Sequence, residues 1–310
     1  MVCEWERVSR HRVLSRQEID RVLAPLGVEP RSARRIDEGK SNTNFVVTLV
    51  GGGRVVLRAH SSLLVGELES AATARVADRV PVARVLLRDP DLNASVLEWK
   101  PGTSMERLIA RGDHLAIAAA SESIGRAAAA ISAVHLPCAG FLDPSLTVVD
   151  PWPTPVAGYM GYSRQLLTSP LLRDRFESAG VDSLRRLVDD AEPRLIEVQG
   201  SPCLVHGDFK ASNLLIHDGE LSAVLDWEFC HSGTWLFNIA QLFRHPLPAE
   251  FRSGFERGFG TLPDDWPRLA RALDLVNMLD FASREDVGPT TLRDVTRLVG
   301  QTVERWQVGA

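Results

Sequence analysis

The sequence predicts an α+β protein with two lobes, a small β-rich N-terminal lobe and a larger helical C-terminal lobe. Residues 1–98 contain β-branched, apolar runs separated by Gly-rich and Asp-Pro turn signals. Pro101-Gly102 follows, and beyond it the pattern changes to long helical segments. We therefore expect an N-terminal lobe over residues 1–98, a C-terminal lobe over residues 99–310, and a cleft between them.

The N-terminal lobe is predicted to begin with a helix and continue as a sheet. Ser15 and Glu18 form a capping box, apolar residues follow at helical spacing, and Gly27 ends the helix. Two β-branched runs, 44–50 and 54–59, are joined by three glycines and predict a hairpin. A further helix and two paired strands are expected over 64–79, 81–87 and 94–98.

The C-terminal lobe is predicted to be helical, with one strand-rich segment over residues 203–227. An Ala-rich, periodic stretch predicts its first helix over residues 121–135. Later helices are expected over 155–168, 182–198, 235–244, 250–259, 266–283 and 289–306.

Composition excludes several classes of protein. The formal charge of the 310 residues is 35 − 40 = −5, which argues against nucleic acid as the main partner but permits a cationic ligand. No stretch approaches the roughly 20 apolar residues that span a bilayer, so we expect no membrane association. Cys3, Cys138, Cys203 and Cys230 form no C-x-x-C pair, which favours reduced thiols and a cytoplasmic protein.

The most informative stretch runs from His206 to Asp226. It contains His-Gly-Asp, with Asp208 third, then Asn213 and two short strands joined by the tight-turn pair Asp218-Gly219. A hairpin centred on that pair places Asn213 opposite Val224 and Asp226 opposite Ala211. Asn213 and Asp226 should then leave the same end of the hairpin, on the side where Asp208 lies.

These three side chains suit phosphoryl transfer. Mg²⁺ takes one or two carboxylate or amide oxygens together with water and substrate phosphate, and Asn213 and Asp226 offer such oxygens. Asp208 would accept the proton of an attacking hydroxyl or orient it. The alternative is a buried polar turn, but His-Gly-Asp-x4-Asn should arise by chance only about once in a thousand chains of this length. We therefore prefer the functional interpretation.

The motif resembles the catalytic loop and metal segment of the aminoglycoside phosphotransferase family. That family shares the protein-kinase fold and includes relatives of choline kinase and homoserine kinase, whereas protein kinases would show H-R-D and D-F-G here. The resemblance implies that Asp208 is the catalytic base, that Asn213 and Asp226 bind Mg²⁺, and that His206 braces the loop. It also implies ATP or GTP as the phosphoryl donor.

The resemblance further implies a nucleotide site in the N-terminal lobe. Small polar residues between two predicted strands would cover the phosphates; they are Ser41, Asn42 and Thr43. Arg58 stands where kinases place a lysine, and a helical carboxylate should orient it, with Glu69 preferred over Glu67. Glu98 and Trp99 would meet the base edge. The alternative interpretations are a plain hairpin turn for Ser41, Asn42 and Thr43, a solvated strand residue for Arg58, and a strand end for Glu98 and Trp99.

One residue departs from the family pattern. Asn238 stands where the family commonly carries an aspartate that braces the catalytic loop. An amide can still form hydrogen bonds but carries no charge.

The acceptor is expected between the catalytic loop and the C-terminal helices. Asp280 and Glu285 are the preferred acidic candidates for contacting a cationic acceptor, although solvated helix faces are the alternative. Trp152, Tyr159 and Tyr162 could form an aromatic wall for a sugar or cation, or could simply pack.

Three functions remain open from sequence. The first is a kinase for an aminoglycoside-like antibiotic, and the second is a metabolic kinase for an amino alcohol, amino acid or sugar. The third is a nucleotide-binding pseudokinase without turnover, against which the intact Asp208, Asn213 and Asp226 argue.

Overall fold

The computed structural model describes residues 12–36, 42–60 and 63–308. The predicted first helix is α1, Arg16–Leu23, and its capping box is confirmed, because Ser15 and Glu18 exchange both bonds. A short 3₁₀ turn over Ala24–Leu26 continues it. Gly27 ends this turn in the left-handed region, with φ of 65°.

The N-terminal part of the chain forms a five-stranded antiparallel sheet. Its strands are β1 (Pro30–Ile36), β2 (Thr43–Leu49), β3 (Arg54–Ala59), β4 (Val85–Asp89) and β5 (Ala94–Glu98), in the order β1-β2-β3-β5-β4. The predicted hairpin between β2 and β3 is confirmed, with Val46 opposite Val56. Alternating side chains such as Val47 and Leu57 are fully buried against α1, and helix α2 spans Leu63–Val76.

Strand β4 begins later than expected, and the expectation that it starts at Pro81 was wrong. The carbonyl of Pro81 accepts the N–H of Val224 at 2.8 Å, and Val82 forms a parallel bridge with the same residue. Residues 81–82 therefore pair with the C-terminal part of the chain rather than with β5.

The remainder of the chain is helical, as predicted, with short strands between the helices. The helices are α3 (Met105–Arg111), α4 (His114–Ser132), α5 (Ala157–Leu166), α6 (Pro170–Val198), α7 (Phe237–Ala240), α8 (Ala249–Phe259), α9 (Trp266–Ala282) and α10 (Pro289–Val308). One large apolar core joins them. Within the three described ranges, no helix combines the length and the apolar character that crossing a bilayer requires.

Two small sheets hold the strand-rich segment. The first contains β6 (Thr103–Ser104), β10 (Leu214–His217) and β11 (Glu220–Val224), in the order β11-β10-β6. The second contains β7 (Gly140–Leu142), β8 (Val148–Pro151), β9 (Cys203–Val205) and β12 (His231–Gly233), in the order β8-β7-β12-β9.

The tight turn at Asp218-Gly219 is confirmed, since both residues have positive φ, 50° and 75°. The predicted register was wrong by one residue, because Leu214, not Asn213, lies opposite Val224. A bulge on β11 at Ser222 causes the shift, since Ala223 pairs with Leu215 and Leu221 with Ile216. Asn213 instead accepts the N–H of Leu225 through its carbonyl at 2.9 Å, so the next residue, Asp226, still leaves beside it.

Candidate active site

The loop after β9 is held by the ring of His206, which is fully buried. Its Nε2–H donates to the carbonyl of Leu225 at 3.0 Å, and its Nδ1 accepts the N–H of Asp208 at 3.1 Å. Burial lowers the pKa of His206 to about 4, so the imidazole is neutral at pH 7 and this donor–acceptor pattern is stable. One ring therefore joins the catalytic loop to the end of β11.

Asn238 lies behind the same loop and is completely buried. Its Oδ1 accepts the N–H of His206 at 2.8 Å, while its Nδ2 donates to the carbonyl of Leu204 at 2.9 Å and to Oγ of Ser132 at 3.0 Å. The amide satisfies three partners on two segments. Asparagine therefore suits this position, because the carbonyl of Leu204 needs a donor that an aspartate could not supply.

Asp208 is the centre of a small polar network. Its Oδ2 accepts from Nδ2 of Asn213 at 2.9 Å and lies 2.8 Å from Nζ of Lys210. Burial raises the pKa of Asp208, and the ammonium of Lys210 opposes that shift. Sequence reasoning missed Lys210, although its position two residues after Asp208 in the same loop was a usable signal.

Gly207 allows the loop to approach the segment after β11. Its φ is 79°, and a Cβ on it would lie 2.0 Å from the carbonyl oxygen of Phe229. The carbonyl of Gly207 accepts Nε2 of Gln241 at 2.8 Å, a second contact that sequence reasoning did not find. Asp208 is therefore presented by a backbone held on both sides.

Asn213 and Asp226 have the donor chemistry that Mg²⁺ prefers. Nδ2 of Asn213 donates to both the carbonyl and Oδ2 of Asp208, so its Oδ1 is directed away from these atoms. Asp226 has a φ of 68°, a strained conformation for a non-glycine residue, and its side chain is partly exposed in the cleft. One carboxylate and one amide oxygen on the cleft wall fit a magnesium ion that keeps water and phosphate as its other ligands.

Arg58 on β3 forms the charged contact between sheet and catalytic segment. Its Nη1 pairs with Glu69 on α2 and lies 3.3 Å from Oδ1 of Asp226, and its Nε donates to Oδ1 of Asn44 at 3.0 Å. Although burial opposes its charge, the carboxylates of Glu69 and Asp226 raise the pKa of Arg58. Glu67 instead pairs with Arg88 at 2.9 Å, so the structure places Glu69 against Arg58.

Ser41, Asn42 and Thr43, which were expected to cover the phosphates, do not share one environment in the structure. Ser41 lies outside the described residues. Asn42 is buried and donates to Oε2 of Glu228 at 2.8 Å, while Thr43 begins β2 and accepts the N–H of Arg12 through Oγ1 at 2.9 Å. Asn44, the last residue of the segment compared with the family's phosphate-covering loop, lines the cleft and accepts the Nε–H of Arg58.

A cleft of about 1800 Å³ collects most of these groups. Its lining includes Arg58, Glu69, Glu98, Trp99, Asp208, Asn213, Asp226 and Asp280. A single ligand site usually measures roughly 300–1,000 Å³, so this cleft has room for two ligands. Asp280 is bound by Arg284 and by the hydroxyl of Tyr162 at 2.8 Å, whereas Glu285 is exposed and is not among the described residues that line the cleft.

The fold and the cleft define a kinase-like phosphotransferase, and solved structures share this architecture. A thermostable mutant of aminoglycoside phosphotransferase APH(4)-Ia, in a ternary complex with AMP-PNP and hygromycin B, matches with a TM-score of 0.71 at 20% identity, covering 94% of this chain and 99% of that one. Macrolide 2'-phosphotransferase MphH from Brachybacterium faecium matches with 0.60 at 17% identity, covering 85% and 90%. A putative fructosamine-3-kinase from Thermobifida fusca matches with 0.64 at 18% identity, covering 93% and 99%.

The chain belongs to the phosphotransferase enzyme family, whose sequence model matches residues 32–271. The resemblance drawn from the catalytic loop is thereby confirmed at the level of the family. Comparison with curated proteins gives no significant match.

Proposed function

We propose that this protein transfers the γ-phosphoryl group of ATP or GTP to a hydroxyl of a small molecule in a magnesium-dependent reaction. The observation that carries the proposal is the hydrogen bond between Asp208 and Asn213, because it places a candidate base beside a candidate metal ligand in one cleft. The family match supports the same reaction type.

Each residue has a definite task in this proposal. Asp208 accepts the proton of the attacking hydroxyl, and Lys210 holds its carboxylate in place. Asn213 and Asp226 would hold Mg²⁺, which when bound would neutralise charge on the phosphates. Arg58, oriented by Glu69, contacts the phosphates from the sheet side.

The nucleotide base is assigned to the segment that joins the two lobes, whose boundary we place after Glu98. Glu98 ends β5, and both Glu98 and Trp99 line the cleft. Backbone groups of Ser41, Asn42 and Thr43 remain the proposed phosphate cover. A reaction that consumes a nucleoside triphosphate fits the cytoplasmic location expected from sequence.

Two variants test the reaction. Asp208→Ala should abolish phosphoryl transfer while magnesium–nucleotide binding persists in calorimetry, and Asp226→Ala should lose the magnesium dependence of that binding. Asp182→Ala, which removes an exposed carboxylate on α6, is the matched control. Normal turnover by Asp208→Ala would remove the base assignment, and absence of turnover in the unmodified protein despite nucleotide binding would favour the pseudokinase.

Two acceptor classes follow from the sequence, a polycationic aminoglycoside-like antibiotic and a metabolic alcohol, amino acid or sugar. Asp280 is the residue that favours the first class, since it lines the cleft and could meet a cation. A nucleotide-consumption assay with hygromycin B, streptomycin and small alcohols separates the two classes.

A further inference from the structure

One part of the cleft is bounded by four aromatic side chains, which we call the aromatic wall: Phe141, Trp152, Tyr159 and Phe229. Phe141 meets Trp152 edge-on at 5.4 Å between ring centroids, and Trp152 meets Tyr159 at 5.1 Å. Phe141 is 56% exposed and Phe229 is 54% exposed. Phe141, Phe229 and Tyr162 are the aromatic side chains that are exposed in the described part of the chain. All three line this cleft.

The wall is linked to the loop that carries Asp208 by two hydrogen bonds and one close backbone approach. His231 Nδ1–H donates to the carbonyl of Phe229 at 2.9 Å, so its Nε2 is the acceptor for the hydroxyl of Tyr159 at 2.5 Å. The same carbonyl of Phe229 lies against Gly207, the residue before Asp208. An aromatic surface is therefore fixed within one residue of the proposed base.

The hydroxyl of Tyr159 is used inside the protein, and the two phenylalanine rings of the wall carry no polar atom. The Tyr159 hydroxyl donates its hydrogen bond to Nε2 of His231. Burial lowers the pKa of His231 to about 4, so the imidazole adds no charge at pH 7. Gly158 on α5 lets the indole of Trp152 lie on the helix, because a Cβ there would approach the ring to 2.2 Å. The position of the Trp152 indole therefore depends on a glycine at residue 158.

The part of the cleft lining that follows Phe237 in the chain is balanced in charge. Arg244 forms a bidentate pair with Asp274 at 2.7 Å, Arg297 pairs with Asp294, and Arg284 pairs with Asp280. From Phe237 onward, Asp280 is the one acidic residue among the described cleft-lining positions, and Arg284 and Tyr162 already bind it. The other acidic lining residues lie earlier in the chain; they are Glu69, Glu98, Glu106, Asp208 and Asp226.

A ligand with several ammonium groups needs carboxylates to replace its lost hydration. From Phe237 onward, the cleft lining offers such a ligand one carboxylate, Asp280, which Arg284 and Tyr162 already bind. A ligand with an apolar face would instead cover exposed aromatic rings, which is favourable in water.

We infer that the acceptor is a hydroxyl compound with an apolar or aromatic face and at most one positive charge, rather than a polycationic aminoglycoside. The inference rests on the proposed function. It adds that the aromatic wall positions the acceptor, with the phosphorylated hydroxyl directed toward Asp208.

The test is a comparison of matched acceptors with magnesium and ATP. Phenyl β-D-glucoside and methyl β-D-glucoside offer the same sugar hydroxyls, and only the first carries an aromatic face. Hygromycin B and streptomycin serve as the polycationic acceptors. We expect kcat/KM to be at least about tenfold higher for the phenyl than for the methyl glucoside, and higher than for either aminoglycoside. Calorimetry with magnesium and AMP-PNP should give the same order of binding.

Variants locate the effect. Phe229→Ala and, separately, Phe141→Ala should raise the KM for phenyl β-D-glucoside by about tenfold with a smaller change in kcat. Leu115→Ala, which alters an 87%-exposed residue on α4 outside the cleft lining, should leave both constants unchanged.

The outcomes separate the inference from the proposed function. Higher kcat/KM for an aminoglycoside, equal values for the two glucosides, or no binding of the phenyl glucoside beside bound nucleotide would overturn the acceptor inference while the phosphotransferase assignment stands. Failure of the phosphotransferase assignment as a whole would appear as magnesium–nucleotide binding by the unmodified protein with no transfer to any acceptor in the panel.

Discussion

The side chain of Asn238 accepts the backbone N–H of His206 and at the same time donates to the carbonyl of Leu204, two residues earlier. One amide thus binds both the end of β9 and the first residue of the catalytic loop. An aspartate could accept the first bond but has no N–H for the second.

We predict that Asn238→Asp lowers the free energy of unfolding by about 1–3 kcal/mol, because it leaves the buried carbonyl of Leu204 without a donor. Urea denaturation at pH 7 measures the change. Gln165→Glu makes the same chemical change at an exposed position on α5 and should stay within about 0.5 kcal/mol of the unmodified protein. Equal stability of the Asn238→Asp variant would contradict the hydrogen-bond assignment.

Gly207→Ala should lower kcat by about 10²-fold or more, because displacement of a reacting group by about 1 Å costs that much. The new methyl group would meet the Phe229 carbonyl, and the backbone would have to hold an alanine at positive φ. Gly161→Ala on α5 is the control, since a Cβ there meets nothing within 4 Å. Steady-state kinetics compares the two, and unchanged kcat for Gly207→Ala would show that the loop position does not limit turnover.

Arg58 and Glu69 form a buried ion pair, so their single and double variants should behave differently. Arg58→Ala should cost about 3–5 kcal/mol of stability because it leaves a buried carboxylate without its partner. Arg58→Met combined with Glu69→Leu should recover most of that loss but not phosphoryl transfer.

Arg58→Lys keeps the charge but loses the Nε–H bond to Asn44, so nucleotide affinity should fall by less than about tenfold. Calorimetric unfolding and nucleotide titration provide the two measurements. A double variant as active as the unmodified protein would remove Arg58 from the phosphate site.

The free energy of unfolding should decrease as the pH is lowered from 6.5 toward 4. Burial lowers the pKa of His206 and of His231 to about 4 and that of His60 to about 3, so these imidazoles bind protons in the unfolded chain before they do in the folded one. Each contributes a slope of up to about 1.4 kcal/mol per pH unit in that window. His231→Gln should reduce the slope, because it removes one of the buried imidazoles. Stability independent of pH over this range would contradict the neutral state of the buried rings.

The parts of the fold that sequence analysis predicted correctly are those with local causes. The capping box at Ser15, the glycine hairpin between β2 and β3, and the turn at Asp218-Gly219 all follow from residues close together in the chain. The errors have causes distant in sequence. Pro81 pairs with Val224 instead of β5, and the hydroxyl of Ser222 in the bulge donates to the carbonyl of Pro101 at 2.6 Å.

The same distinction holds for the candidate site. Asp208, Asn213 and Asp226 all line the cleft despite the register error, because Asn213 and Asp226 flank one hairpin and Asp208 lies on the loop that leads into it. The motif did not indicate the hydrogen bond from Gln241 to Gly207 or the one from Asn42 to Glu228, because the bonded residues are 34 and 186 positions apart in sequence. Helix α3 was also missed, and its seven residues are too few to show a clear period.

The bond from Val224 to Pro81 gives the sheet a second attachment, in addition to the covalent connection through residues 99–102. The ion pair of Arg58 with Asp226 and the bond from Asn42 to Glu228 are further attachments between the sheet and the helical part of the chain. Opening of the cleft would have to break both contacts, so side chains proposed to bind metal and phosphates also fasten the two parts of the molecule together.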